Sequence, residues 1–292
     1  MTPKQFQSSY PFLTPIECIE YYSIFEGYPL DSLDIKDTIS QSIQVNVFDK
    51  ITDLIPHFTY SKNIYKQKSI QKMLYKFSIN DRKLLKSFRK SHLDFDKQTI
   101  YEKLFSKKIL EIEYSREEQK ELPKGQKLKK ELRRYKIEDK VRFIKNFDRF
   151  WFRFISYQIQ DIINENLQNI QNEITQNIDH FIRRSFEVMC IDFTKKIDNS
   201  IIESNSYWDK NIELDILALT KNKKIYLGEC KWTNHKINKN ILAILDKKCT
   251  MSNIKPDTIL LFSKSGFSNE LKKDCPKNVK LYDIEKISKE FC

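Results

Sequence analysis

Two neighbouring apolar segments near the C-terminus carry charged side chains where a sheet interior would hold apolar ones. Residues 212–219 contain Asp215, and residues 225–232 contain Glu229 and Lys231. Charged side chains are rarely buried in a sheet unless they are paired or bind a metal. Carboxylate oxygens are the ligands that Mg²⁺ prefers, and an ammonium group beside them stabilises developing negative charge. These residue types could therefore bind one divalent ion with an ammonium group beside it.

A β-hairpin would bring these side chains together. Both segments are rich in strand-forming residues, and the five-residue polar link between them is typical of a turn. We expect Leu219 to pair with Ile225 across this turn. The same antiparallel register then places Asp215 opposite Glu229, with Cβ atoms about 5 Å apart. Since residues i and i+2 share a face, Lys231 lies beside Glu229. The alternative is a half-exposed hairpin with an ordinary surface ion pair.

Asp215, the run Glu229-Cys230-Lys231 and Glu187 on a preceding helical segment resemble the PD-(D/E)XK nuclease superfamily. The core of that superfamily runs helix, three-stranded meander, helix, strand. The order of predicted elements agrees with it: a helix at Arg183–Cys190, a crossover helix at Ile237–Cys249, and strands at Asp257–Phe262 and Val279–Tyr282. The resemblance implies an α/β fold (α+β overall), with helical and winged-helix-like parts preceding a restriction-endonuclease-like core.

The resemblance also implies roles for these side chains in a metal-dependent DNA endonuclease. Asp215 and Glu229 would bind Mg²⁺ or Mn²⁺, with the backbone carbonyl of Cys230 as a further ligand. Glu187 would bind a second ion or hold a metal-bound water. Lys231 would orient the attacking water or stabilise the transition state. The competing class is a catalytically inactive nuclease-fold protein that binds DNA or regulates a partner.

A second resemblance covers the chain from about residue 12 to about residue 265. Phe150–Phe154 and Gly228–Trp232 resemble the C-terminal region of the archaeal-type P-loop ATPases, a domain of unassigned function with a nuclease-like fold. Tyr21–Pro29 resembles the end of the ATPase module that normally precedes it. The phosphate-binding pattern Gly-x-x-x-x-Gly-Lys-Ser/Thr is absent from the sequence. We therefore expect a separate P-loop ATPase to be a partner, or the ATPase function to be lost.

The positive charge of the chain is concentrated in its middle. Residues 61–150 contain 27 basic and 13 acidic residues. The net charge of this segment, +14, exceeds the net charge of the whole chain, +12. Predicted helices at 81–88 and 96–105, a strand at 109–114 and a returning strand at 132–137 resemble a winged-helix arrangement. Such a concentration of charge is typical of a DNA-binding module.

In that arrangement the second helix would enter the major groove of DNA. It would present Lys97, Gln98 and Tyr101. The loop between the strands would contact phosphates through four lysines: Lys124, Lys127, Lys129 and Lys130. The alternative is a solvated hairpin tip beside helices that dock a protein.

The aromatic run Phe147–Phe154 has two interpretations. Aromatic side chains interleaved with arginine suit base stacking on single strands. Aromatic residues also dominate protein cores, and we favour a core or interdomain role.

Composition and length complete the prediction. We expect four segments: a helical segment at 1–60, a winged-helix-like domain at 61–140, a connecting helix at 141–180 and the nuclease-like domain at 181–292. No apolar run approaches ~18 residues, the N-terminus lacks a hydrophobic signal, and the six cysteines lack zinc spacing. We therefore expect a cytoplasmic protein with DNA as a partner, no membrane contact, and self-association as a further interaction.

Overall fold

The computed structural model describes residues 1–79, 82, 97–117 and 137–291, and the chain divides into two compact units. The first unit comprises Met1, Glu20–Tyr114 and Glu138–Ile178, and the second comprises Thr2–Ile19, Ser115–Ile137 and Asp179–Cys292. This division differs from the four predicted segments. The longest stretch of the second unit nevertheless begins close to the predicted boundary at residue 181.

The helices and strands are numbered here in chain order over the described residues. Up to residue 167 they are α1 (Pro3–Ser9), α2 (Pro15–Phe25), α3 (Ile39–Ile43, continued by the π-helix Gln44–Phe48), α4 (Ile51–Leu54, continued by the 3-10 helix Ile55–Phe58), α5 (Ile64–Ser78), α6 (Lys97–Ser106), β1 (Leu110–Glu113), β2 (Lys140–Phe143), α7 (Asn146–Phe150, continued by the π-helix Trp151–Ile155) and α8 (Ile159–Ile163). Beyond it they are α9 (Gln168–Ile197), β3 (Ile201–Trp208), β4 (Glu213–Thr220), β5 (Ile225–Lys231), α10 (Asn240–Ser252), β6 (Thr258–Ser263), α11 (Asn269–Lys273), β7 (Val279–Asp283) and α12 (Ile284–Phe291).

Helix α5 shows how the sequence builds the first unit. Its N-terminus is capped by Asn63, whose Oδ1 accepts a hydrogen bond from the N–H of Lys66 at 3.0 Å. Its apolar residues recur at helical spacing and are buried: Ile70, Met73, Leu74 and Phe77. Helix α6 agrees to within one residue with the helix predicted at 96–105. The helix predicted at 81–88 lies outside the described residues, except for Arg82.

Strand β1 pairs with a different segment from the one predicted. It lies within the strand predicted at 109–114, and its antiparallel partner is β2. The strand predicted at 132–137 lies outside the described residues, except for Ile137. The observed pairing places Glu111 opposite Arg142, and these side chains form an ion pair. A cross-strand charge pair of this kind favours the observed register.

The aromatic run forms core, as predicted. Phe147, Phe150, Trp151, Phe152 and Phe154 are all buried within the first unit. The ring of Trp151 stacks on that of Phe58 with centroids 4.2 Å apart. Because this run belongs to α7 and its π-helical continuation, residues 141–180 do not form the single connecting helix that was predicted. The long helix is α9, which starts later and ends at Ile197.

The second unit contains a five-stranded sheet in the order β3-β4-β5-β6-β7. The first three strands form an antiparallel meander, and β6 and β7 then add in parallel. Parallel neighbours require crossover connections, which contain α10 and α11. A mixed sheet with helices confirms the predicted α/β class. Helix α10 begins three residues after the predicted Ile237, which instead bridges to Phe267.

Gly228 fixes the close approach of β4 and β5. A Cβ atom at this position would lie 2.8 Å from the Cβ of Ile216, its partner on β4. A larger residue here would separate the two strands next to Asp215 and Glu229.

None of the helices in the described ranges combines the length and hydropathy that crossing a membrane requires.

Candidate functional site

The hairpin of β4 and β5 has the predicted register. Leu219 pairs with Ile225, and the ladder continues to the pair Ile216–Gly228. The pair Asp215–Glu229 lies one residue beyond this ladder, where the same register would place the two residues opposite each other. The N–H of Cys230 donates a hydrogen bond of 2.8 Å to Oδ2 of Asp215.

Glu229 is a nearly fully buried carboxylate between two lysines. Only 3 % of the Glu229 residue is exposed. Lys231 Nζ lies 2.6 Å from its Oε1, as the shared strand face predicts. Lys248 Nζ, from α10, lies 3.3 Å from its Oε2. Two ammonium groups therefore compensate a charge whose burial would otherwise be costly.

The surroundings of Asp215 disfavour its ionised form. Burial raises its pKa to about 7, and the negative charges of Glu229 and Glu187 add to this effect. The N–H of Cys230 and the charge of Lys231 act in the opposite direction without cancelling it. A carboxyl group near two other carboxylates keeps its proton more readily, since like charges disfavour ionisation.

Glu187 approaches the hairpin from α9. Arg184 Nη1 lies 2.9 Å from its Oε2, and Arg183 Nε lies 3.8 Å from its Oε1. Spacings of three and four residues place these arginines on the same helix face as Glu187. The charge of Glu187 adds to the raised pKa of Asp215, so the helix carboxylate acts electrostatically on the hairpin, and we count it with the cluster.

Strand alternation places the Cys230 side chain on the opposite face of β5 from Glu229 and Lys231. Its thiol is buried, as is that of Cys190 on α9. Burial raises the pKa of both thiols, so they remain protonated and act as core residues. A role of Cys230 as a ligand thus rests on its backbone carbonyl alone.

The cluster fits a divalent ion in its donor chemistry but not in its present arrangement. Three carboxylates supply the hard oxygen donors that Mg²⁺ and Mn²⁺ prefer. Over the described ranges, however, no group of three or more His, Cys, Asp or Glu side chains is arranged to hold a metal. Glu229 and Glu187 are instead each held by two cations of the protein.

Sequence reasoning missed three of these cations, Lys248, Arg183 and Arg184, as members of the cluster. The two arginines had a signal, because their helical spacing from Glu187 is visible in the sequence. Lys248 had none, since its contact depends on how α10 crosses the sheet.

The predicted nucleic-acid contacts fall mostly outside what the structure describes. Lys124, Lys127, Lys129 and Lys130 lie outside the described residues, and Lys97 and Gln98 begin α6.

The prediction that α6 presents Tyr101 to DNA is wrong. The residue is only 5 % exposed, and its ring packs between those of Phe77 and Phe105. Burial raises the pKa of its hydroxyl above the ordinary value. It is a core residue because its position in α6 falls on the apolar stripe with Ile100 and Leu104.

Comparison with known proteins relates part of this chain to a family without an assigned activity. Residues 151–242 match the model of the DUF234 family, described as archaea bacterial proteins of unknown function. This match includes Glu187, Asp215, Glu229 and Lys231, and it covers about a third of the chain. No curated protein matches the chain, and no solved structure does.

Proposed function

We propose that the chain is a DNA endonuclease that hydrolyses phosphodiester bonds with Mg²⁺ or Mn²⁺. The observation that carries this proposal is the geometry of the hairpin, where Asp215 accepts a hydrogen bond from the N–H of Cys230 and the adjacent Glu229 pairs with Lys231. Burial and the negative charges of Glu229 and Glu187 oppose the ionisation of Asp215, and a divalent ion would favour it. The order of helix, meander, helix and strand supports the resemblance to the PD-(D/E)XK nucleases.

The residues that would hold the ion are Asp215, Glu229 and Glu187, with the carbonyl of Cys230. When bound, a divalent ion neutralises charge on the scissile phosphate and lowers the pKa of a water molecule. Every other contribution comes from the side chains of the protein. Asp215 would lose its proton when the ion binds. The hydrogen bond from the N–H of Cys230 would hold the carboxylate of Asp215 in position.

Lys231 and Lys248 would have a second role when Glu229 binds a metal ion. Lys231 and Lys248 each donate to this carboxylate in the present arrangement. Each ammonium group has three donors and carries a compact charge. Released in part from Glu229, they would contact the phosphate oxygens as negative charge develops on them.

DNA would be bound by the basic middle of the chain. The predicted contacts are Lys97 and Gln98 on α6 and the four lysines of the segment 124–130. Lysines of this kind contact phosphates and give a steep dependence on salt without reading sequence.

The arrangement of the cations also favours a second candidate, a catalytically inactive protein that binds DNA or regulates a separate P-loop ATPase. Glu229 and Glu187 already have two cations each, so the cluster is compensated without a metal. In such a protein, found in the cytoplasm and associating with itself or the ATPase, the same cations would hold a phosphate.

Nicking of supercoiled plasmid in Mg²⁺ or Mn²⁺ tests the first candidate. Wild-type protein is compared with Asp215→Ala, Lys231→Met and the control Asp246→Ala, which removes an exposed acid on α10. Cutting by wild type and Asp246→Ala, but not by the other two, supports the endonuclease. Equal cutting by all four indicates a contaminant and removes the claim. Salt-sensitive DNA retention without any cutting supports the second candidate.

A further inference from the structure

We propose that the first unit contains a nucleotide-binding pocket, separate in its residues from the carboxylate cluster and independent of the proposed endonuclease. The pocket has a volume of about 580 Å³ and lies among the 3-10 helix after α4, the segment that joins it to α5, the first half of α5, and α6. Small-molecule pockets commonly measure about 300–1,000 Å³. This volume exceeds the needs of a single inorganic anion and suits a nucleotide.

The charge around the pocket favours an anionic ligand. Three lysines line it, namely Lys62, Lys66 and Lys103, and none of its described lining residues is acidic. Lys103 is already positioned, because its Nζ donates to the carbonyl oxygen of Tyr60 at 2.7 Å. Two of its three donors remain for a ligand. Ammonium groups from two helices that converge on one concavity are a common means of holding a phosphate.

The remaining lining favours a flat apolar body attached to that phosphate. Ile70, Ile100 and Leu104 line the pocket and are themselves buried, so they form an apolar floor. Four hydroxyl-bearing residues also line the pocket: Thr59, Tyr60, Ser61 and Thr99. A nucleobase on the apolar floor, with its ribose near these hydroxyl groups and its phosphate at the lysines, fits this arrangement.

The wall of the pocket is held rigidly, which lowers the cost of ordering it around a ligand. The Gln67 side chain accepts hydrogen bonds from the N–H groups of Tyr60 and Ser61, at 2.8 and 3.0 Å. Its amide group donates to the carbonyl of Phe58 at 3.0 Å. The ring of Tyr60 stacks on that of Phe152, with centroids 6.1 Å apart.

Binding of fluorescent AMP to the full chain, measured by anisotropy, tests this proposal. The double variant Lys62→Glu, Lys66→Glu reverses two charges at the pocket. Its control, Lys68→Glu, Lys72→Glu, makes the same change of charge on α5 at exposed positions that do not line the pocket. We expect the first variant to weaken binding by about tenfold or more, because it replaces two charge-assisted contacts, and the control by less than about twofold.

A second pair of variants tests the shape of the pocket without changing the charge at its lysines. Thr99→Trp would fill the pocket from an exposed position of α6, and Ser106→Trp adds similar bulk at an exposed, uncharged position of the same helix that does not line it. We expect loss of binding from the first alone. Thermal unfolding of all the variants confirms that each is folded.

A labelled single-stranded oligo-dT distinguishes the source of the nucleotide. If the pocket variants weaken its binding too, the pocket takes an unpaired nucleotide of a strand; if they weaken AMP alone, it takes a free nucleotide. Three outcomes would overturn the proposal. They are no binding of either probe by the wild-type protein, displacement by inorganic phosphate as readily as by AMP, and equal weakening by the control variants.

Discussion

Two aspartates, one in each unit, have a pKa raised to about 7, and they differ in the groups that surround them. Asp148, on α7, is 6 % exposed, and its Oδ2 lacks a hydrogen-bond partner among the described residues. Burial raises its pKa; the nearby charge of Lys145 opposes this rise, and that of Glu26 adds to it. For Asp215 burial is likewise the largest cause, followed by the other two carboxylates of the cluster.

The comparison shows that a perturbed pKa alone does not identify a functional site. Burial in an aromatic core is sufficient for Asp148, whose charge also raises the pKa of the buried Tyr60. What distinguishes Asp215 is the chemistry around it: two further carboxylates, Glu229 and Glu187, each paired with two cationic side chains. We therefore infer function from the set of groups and treat the raised pKa as one consequence of it.

The largest expected difference is in catalysis. Asp215→Asn should lower the rate of plasmid nicking by at least about a hundredfold, because it removes a ligand oxygen charge that the reaction requires. Asp148→Asn should leave the rate within about threefold, since a structural change in the core acts on stability rather than on chemistry. Initial rates with Mn²⁺ measure both. Equal loss in the two variants would show that folding, and not the cluster, limits activity.

Metal binding should separate the two aspartates next. An excess of Mn²⁺ should raise the melting temperature of the wild type and of Asp148→Asn by about 5 °C, because a ligand that binds only the folded state stabilises it. Asp215→Asn and Glu229→Gln should lose this increase. Thermal unfolding with and without the ion measures it. An increase that survives in Asp215→Asn would place the ion elsewhere on the protein.

The dependence of stability on pH should reveal both groups. Each carboxyl has a higher pKa in the folded than in the unfolded chain, so the folded protein binds more protons between pH 4 and 7. The resulting stability is complete below pH 4 and is lost as the pH rises through 7. Between pH 5 and 8 we expect a loss of about 3 kcal/mol for each aspartate, and either Asn substitution should remove its share.

Urea unfolding at the two pH values measures these losses. Adding Mn²⁺ should reduce the loss in the wild type and in Asp148→Asn, where Asp215 remains, and should have no such effect in Asp215→Asn. A pH dependence that neither substitution alters would assign it to other groups.

The parts of the cluster that the sequence predicted are those determined by local geometry. The apolar character of the two segments and the turn between them fix the pairing of Leu219 with Ile225. Strand alternation then places Lys231 beside Glu229. The helix of Glu187 was predicted from its own segment, although α9 extends well beyond it in both directions.

The parts that could not be predicted depend on contacts between elements distant in sequence. Strand β3 was not identified, because its polar residues obscure the alternation that marks a strand, and two of them, Ser204 and Ser206, are buried. Tyr101 was assigned to DNA, because a tyrosine on a basic helix is compatible with either face until packing is known.

Lys248 offers the smallest and most specific test of the comparison. Its ammonium group compensates Glu229 and competes with any cation for that carboxylate. Lys248→Met should therefore tighten Mn²⁺ binding by about threefold, whereas Lys145→Met beside Asp148 should leave it unchanged, since the charge removed there faces no ligand. The control Lys247→Met removes an equal charge from an exposed position on α10. Calorimetric titration measures all three variants. If Lys247→Met tightens binding as much as Lys248→Met, the effect comes from net charge, and the lysine on α10 does not belong to the cluster.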